Sequence, residues 1–333
     1  MKPLALHLLL ASLLLTLGSN ASAAMAHTDE TNACDRACLK SVTARYLDAM
    51  AAGKLEDIRV SPAARATSNG EDVSPGAGPT WTGGITIVNR MTFVDPRTQT
   101  AIFFGTLAGP PVEEVEDARV WWHYAVRLTV NKAGAIVEIE EQSTTGGMQT
   151  ADKVEIPFKE ASLFREVIAQ AERTDADTLV EIADGYWDAL TSGEGSDAAF
   201  GPDCQRTEFG KFSTNNPITP HGRGENWQPS PQVGPSCGAF FERPRFRWPV
   251  SNRRYYIADE ERGVVVGIGQ LNRSGTDGND PLTLFEAFKI VDGHIEWLWA
   301  PAIEWGLENS GWPDWDRPLG EDQGKRGGHE GAI

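Results

Sequence analysis

The sequence predicts an α+β chain of two tandem cone-shaped domains, each a curved, mostly antiparallel sheet wrapped on N-terminal helices. Three observations carry this. A pattern occurs twice: an apolar-periodic helix with Tyr-x-Asp-Ala near its end (Tyr46/Asp48 and Tyr186/Asp188), a glycine break, then an Arg before a short polar turn (Arg65 to Gly70, Arg206 to Gly210). Each copy then leads into a β-rich run and an apolar hairpin. The length, 333 residues, suits about two domains. A helix followed by strands that end in a long hairpin is an α+β order, and a curved sheet closing on that helix encloses a cavity.

The elements follow in order. Residues 1–26 read as a signal peptide: Lys2, an apolar run from Leu4 to Leu17, and small-x-small sites at Ala21-Ser22-Ala23 and Ala24-Met25-Ala26. The expected location is therefore secreted or periplasmic, with no membrane association after cleavage. The first domain spans 34–145. Its helix runs from about Asp35 to Ala52, with Val42, Tyr46, Leu47 and Met50 at helical spacing and Gly53 as the stop. Leu55 to Arg65 reads as a connection. Strands are expected at Ile85–Phe93, Thr100–Leu107, Val120–Val130 and Ile136–Glu140. Residues 146–173 form a linker with a short helix. The second domain spans 174–313. Its helix, Thr178–Leu190, follows Asp175 as N-cap; strands are expected at Phe246–Tyr256 and Val264–Leu271, and Leu282–Val291 with Ile295–Trp299 makes the closing hairpin. A Pro-, Gly- and Asn-rich insertion fills Phe212–Ser236, and 314–333 reads as a disordered tail.

The net charge of −17 argues against nucleic acid and anionic lipid as partners. Four cysteines in an oxidising compartment suggest disulfides, and three pairings are open. Cys204 with Cys237 is favoured, because each opens a loop-rich stretch of the same domain. Cys34 and Cys38, four apart at a helix start, are within about 6 Å on a helix, which a local bridge allows. No Gly-rich nucleotide loop after a strand, Gly-x-Ser-x-Gly elbow or His-Glu-x-x-His is present. Kinase, hydrolase and dehydrogenase readings have no motif behind them, and no cofactor or metal is called for.

The Tyr-x-Asp-Ala-Leu of the second helix, the Asp203-Cys204-Gln205-Arg206-x-Glu208 segment and Phe288-Lys289-Ile290-Val291-Asp292-Gly293-His294-Ile295-Glu296 resemble the nuclear transport factor 2-like superfamily, which includes the SnoaL-like polyketide cyclases and the ketosteroid isomerases. With the Cys-x-x-x-Cys start, Thr214-Asn215-Asn216-Pro217 and Tyr255 to Gly263, residues 34–312 are similar to secreted, often duplicated SnoaL-like proteins of unknown function. The resemblance implies polar groups inside the cone that move protons next to a carbonyl, open or close rings, or orient a ligand.

Ionisable residues at apolar positions are the candidates, because an apolar cavity raises a carboxyl pKa into the range of proton transfer. Alternation places Glu286 with Leu284, Phe288 and Ile290 on one face. Arg206 and Glu208 share a face if extended, as an acid and its partner or as a structural ion pair. His221, in the insertion, is a candidate proton shuttle. Glu208, Glu286 and His221 are thus the catalytic candidates, and Tyr186, Arg206, Asn216 and Tyr256 the substrate-binding ones. In the first domain His123 and Arg127 share a face, but Ala63-Ala64-Arg65-Ala66-Thr67 stands where the second has its acidic segment, so that domain reads as a degenerate copy. Trp121, Trp122, Trp227, Trp248, Trp297, Trp299, Trp305, Trp312 and Trp315 are counted as lining for a flat ligand or as filling between the domains. The expected partner is a small hydrophobic or aromatic molecule, acted on by cofactor-free proton transfer as in an isomerase, dehydratase or lyase. The competing class is a non-catalytic binding or interaction module with filled cavities. The expected state is a monomer with a pseudo-dimeric interior.

Overall fold

The computed structural model describes residues 33–111, 119–149, 161–208, 211–212, 214, 237–238, 241, 248–272, 282–301 and 303–305. Helix α1 is Arg36–Ala52. The Asp35 carboxylate accepts from the Cys38 amide at 2.8 Å, and Gly53 closes the helix in the left-handed region. Helix α2, Ala176–Ser192, ends the same way: Asp175 accepts from the Asp177 and Thr178 amides, and Gly193 is left-handed. Leu39, Val42, Tyr46 and Met50 of α1, and Leu179, Ala183, Tyr186 and Leu190 of α2, form buried stripes at three- and four-residue spacing.

Two mixed sheets complete an α+β fold. The first contains β1 (Val60–Ser68), β2 (Glu71–Val73), β3 (Thr86–Asp95), β4 (Thr100–Pro111), β5 (Arg119–Val130) and β6 (Ile136–Gln149), in the order β2-β1-β6-β5-β4-β3. The second contains β7 (Phe200–Glu208), β8 (Lys211–Phe212), β9 (Val250–Asp259), β10 (Val264–Leu271), β11 (Leu282–Val291) and β12 (His294–Ala300), in the order β8-β7-β12-β11-β10-β9, with β13 (Ile303–Trp305) added against β11. The orders match strand for strand. In each sheet one pairing is parallel: β1 with β6, and β7 with β12. Helix and first strand recur at a constant step of 140 residues: 36 to 176, 53 to 193, 60 to 200.

Several boundaries differ from expectation. Val60–Ser68 is a strand rather than a connection. Its sequence is polar and Ala-rich, and its parallel partner β6 supplies the pairing that propensity does not. Strand β6 runs on through Thr144-Thr145-Gly146-Gly147 to Gln149, because β5 pairs with it as far as Arg119. In place of a linker helix there are two 3-10 turns, Ala161–Arg165 and Gln170–Glu172. The 140-residue step sets Arg65 opposite Gln205 and Ala66 opposite Arg206, one residue off the match expected from the two arginines.

Each sheet has an inner face toward its helix and an outer face. Tyr124, Val126, Leu128 and Phe103 pack inward with α1; Leu284, Phe288, Ile290 and Leu298 pack inward with α2. The outer faces meet in one cluster that includes Phe93, Ile102 and Phe104 of the first sheet and Ile257, Val266, Phe285, Trp297 and Trp299 of the second. Phe164 sits edge-on to Phe93, with ring centroids 5.9 Å apart, and to Trp297 at 6.4 Å. Each such side chain, fully buried, contributes about 1.5–3 kcal/mol.

A charged network crosses this seam. Glu140, 2 % exposed, accepts from Arg127 Nε at 2.8 Å and from both terminal nitrogens of Arg254 at 2.9 and 2.7 Å. Arg127 lies over the Tyr256 ring, 4.3 Å from its centroid. Burial alone would push Glu140 up; Arg254 and Arg127 reverse this and hold it below the usual glutamate range. At the edge of the seam Arg97 joins Asp95 and Glu260, and Arg36 joins Asp259.

Two disulfides are present, Cys34–Cys38 and Cys204–Cys237, and they use all four cysteines. Among the described residues no helix is long and apolar enough to cross a membrane.

Candidate functional site

Each sheet buries a carboxyl on its inner face, and each carboxyl takes an indole N–H. In the second sheet the carboxyl is Glu286, 2 % exposed among Leu284, Phe288 and Ile290. Its Oε2 accepts from Trp187 Nε1 at 3.0 Å. Trp187 reaches it because the facing strand has no side chain in the way. A Cβ on Gly267, the residue paired with Glu286, would lie 2.7 Å from the indole. The indole stacks on Tyr255, centroids 5.0 Å apart. The Tyr255 hydroxyl donates to Asp184 of α2 at 2.5 Å, and Arg253 clamps Asp184 and Asp188, one helical turn apart, at 3.0 and 2.7 Å.

Tyr186, next to Trp187, is buried edge-on to Phe200, Phe241 and Phe288. Arg206 of β7 is 4 % exposed, and its guanidinium carbon lies 5.8 Å from the Tyr186 ring centroid. Beside it Gln205 accepts from Thr214 Oγ1 at 2.7 Å. The inner face of the second sheet thus carries two separate contacts with α2: Arg206 near the Tyr186 ring, and Glu286 on the Trp187 indole. Cys204 and Cys237 belong to the same apolar cluster as Tyr186 and Trp187. Glu208 continues β7, its backbone opposite Ala300; Asn216 and His221 lie outside the described residues.

Tyr256, a substrate-binding candidate in the sequence, lies apart from Tyr186 and Glu286. Alternation along β9 turns Tyr255 inward onto Trp187 and Tyr256 outward into the seam, where it packs on Arg127 and Arg254. It is a seam residue and does not line the inner face. His123 and Arg127 lie on the outer face with Ala125, which belongs to the seam cluster.

The first sheet holds a cluster that sequence reasoning passed over. Glu141 of β6, 4 % exposed, accepts at Oε1 from the hydroxyls of Tyr46 and Tyr124 (2.8 Å from Tyr124) and from Trp81 Nε1 at 2.9 Å. Its Oε2 lies against Gly78, where a Cβ would come within 2.2 Å of it. Burial pushes the Glu141 carboxyl up despite its three donors. Burial and the Glu141 charge push both phenols well above the usual tyrosine value, so they stay protonated and donate. The missed signal was a glutamate on the apolar face of β6, together with Trp81 and Trp187, which stand apart from the tryptophans counted as lining.

The two constellations map onto each other through the strand register. Leu128 pairs with Ile139, which pairs with Ala66; Phe288 pairs with Leu298, which pairs with Arg206. Leu128 and Phe288 are thus equivalent, and so are Val126 and Glu286 two residues before them. Leu47, Phe103 and Val126 of the first half become Trp187, Gly267 and Glu286 of the second. The bulky indole is offset by removal of the phenyl ring opposite, and valine gives way to an acceptor for its N–H. Glu141, in turn, has Ala300 as counterpart.

Chemically, an enclosed carboxyl can accept or give a proton, and a guanidinium or phenol on the same face can steady negative charge on an oxygen. Among the described residues no three His, Cys, Asp or Glu side chains stand close enough together to hold a metal ion.

A family model, Domain of unknown function (DUF8021), matches residues 172–300, the stretch that holds α2 and the second sheet. No curated protein matches the chain. Two solved structures are similar to parts of it. AclR, a proposed hydroxylase from Streptomyces galilaeus, is 17% identical over 34% of this chain and 83% of its own, with a TM-score of 0.28. A protein of unknown function with a cystatin-like fold from Methylobium petroleophilum PM1 is 18% identical over 43% of this chain and 99% of its own, with a TM-score of 0.27.

Proposed function

We propose that the chain is an exported SnoaL-like, nuclear transport factor 2-like protein that binds a small, mostly apolar or aromatic molecule in its second half. In this reading it shifts a proton on that molecule without a cofactor, as an isomerase, dehydratase or lyase. The two halves are tandem cone-shaped domains, 34–145 and 174–313, and the chain works as a monomer whose outer sheet faces cover each other. The observation that carries the reading is Glu286, a nearly inaccessible carboxyl on the inner face, with the Trp187 indole on one oxygen; Tyr186 beside Trp187 on α2 has Arg206 near its ring.

In an isomerisation, the Glu286 carboxylate takes a proton from a carbon beside a carbonyl. Arg206 and Tyr186 steady the enolate oxygen, and the carboxyl returns the proton to another carbon. Glu208, Asn216 and His221 are the further proposed participants.

The test begins with native mass spectrometry of the mature protein, to find a co-purifying small molecule. Deuterium uptake by that molecule in D₂O is then followed with wild type and Glu286→Gln. The expected result is binding by both and a loss of exchange of about 10²- to 10⁴-fold in the variant. Equal exchange rates, or no bound molecule together with no response to an aromatic and terpenoid panel, would end the proposal. A fall in melting temperature without any change in exchange would make Glu286 structural.

A further inference from the structure

A cleft of about 310 Å³ opens where α1, β3, the Ala161–Arg165 turn and the β9–β10 turn meet. It is at the small end of ligand-sized pockets. Its floor is apolar: Met91, Phe93 and Phe164 are each no more than 6 % exposed. Its walls carry five cations, Arg36, Lys40, Arg90, Arg165 and Arg262, against one carboxylate, Asp259. In a chain of net charge −17 this is a local reversal of sign.

The five cations are not equally committed. Asp259 holds Arg36 at 2.7 Å and Arg262 at 3.4 Å, and Glu261 meets the same two at 3.3 and 3.1 Å. Arg90 meets Asp48 at 3.4 Å, but their side chains are 48% and 69% exposed, so water screens that pair. Arg165 donates to the Arg90 carbonyl oxygen at 3.3 Å. Neither Lys40 nor Arg165 has a carboxylate partner among the described residues. Burial, then Arg262 and Arg36, hold the Lys40 ammonium below the usual lysine value, with Asp259 and Glu261 opposing them in part.

We infer that this cleft binds a small organic anion, a carboxylate or phosphate carried on a flat apolar body. The anionic end meets Lys40, Arg90 and Arg165, and the body lies on Met91, Phe93 and Phe164. Guanidinium forks suit both oxyanions, and the apolar floor excludes a bare inorganic ion as the best fit. The ligand would touch both halves, because α1 and β3 belong to the first and the β9–β10 turn to the second. The site is separate from the inner face that holds Glu286.

The experiment is calorimetric titration of the mature full chain with benzoate, phenyl phosphate and, as the neutral counterpart, benzamide, at low and high salt. The expected result is binding of at least one anion, about tenfold or more weaker binding of benzamide, and loss of affinity as salt rises. The tighter of the two anions identifies the headgroup. Lys40→Gln/Arg165→Gln should weaken binding about tenfold with an unchanged melting temperature, because both side chains are exposed. If that pair fails to fold, Arg165→Gln alone, with a smaller loss, carries the same test. Glu286→Gln should bind the anion as wild type does. The inference fails if neither anion binds at about 10 mM, if benzamide binds equally well, if the folded variants keep full affinity, or if Glu286→Gln abolishes binding.

Discussion

In the first half the buried carboxyl hangs from β6 and gathers two phenols and a loop indole; in the second it hangs from β11 and takes a helix indole. The strand order, the parallel pairing and the helix caps are the same in both. A shared backbone therefore does not dictate where the inner carboxyl sits. Its position follows from which neighbour brings an N–H or O–H to it and which neighbour makes room. Val126 could not be a glutamate beside Phe103 and Leu47 without a buried, unsatisfied charge, which is among the costliest changes in a core. Glu286 is tolerable because Trp187 and Gly267 came with it.

Adjacent residues of β6 sharpen the contrast. Glu140 faces the seam and is held down by two guanidinium groups; Glu141 faces inward and is pushed up by burial. The largest expected effect comes from breaking the seam. Glu140→Gln leaves Arg127 and Arg254 buried without their shared anion and should cost about 3–5 kcal/mol in urea denaturation. Because the Glu140 pKa is lowered in the folded state, its stabilising contribution is present above the ordinary glutamate pKa and is lost as pH falls through the folded value. The variant should therefore show a shallower loss of stability in acid. A variant as stable as wild type would mean that the halves do not depend on this network.

The disulfides come next, and they differ between halves. Cys204–Cys237 spans 33 residues and Cys34–Cys38 only 4. Loop-closure entropy predicts losses of about 4 and about 2 kcal/mol for the respective Cys→Ser pairs. Equal losses would show that strain or residual unfolded structure outweighs loop length.

The smallest effect is expected at Glu141. Glu141→Gln keeps an acceptor for Tyr46, Tyr124 and Trp81 and should cost about 1 kcal/mol at neutral pH. Its pH signature has the opposite sign to that of Glu140. A carboxyl with a raised folded pKa contributes most below its unfolded pKa, and that contribution disappears as pH rises through the folded value. The stability gap between wild type and Glu141→Gln should therefore shrink from acid toward neutral pH. A gap that widens would mean that the three donors overcome burial.

Helix stripes, caps, the closing hairpins and the doubling of the pattern were legible in the sequence, because periodicity, Asp caps and terminal glycines act locally. The grouping of Glu286 with Leu284 and Phe288 on one face was legible too, since alternation along a strand needs no partner; which way that face turns was not. Strand β1 was hidden, because its residues have no strand preference of their own and a partner about 70 residues away holds it extended. The Tyr255/Tyr256 choice was hidden because two adjacent aromatic residues suit either face, and only the position of Trp187 on one side and Arg127 on the other assigns them. Glu141 was hidden because its donors come from α1, a loop and β5. By itself, then, the sequence determined most of the elements and the acidic, disulfide-bearing character of the chain. Which carboxyls are enclosed, which are paired and which faces meet was decided only by tertiary packing, because burial and hydrogen-bond satisfaction depend on residues far apart in the chain.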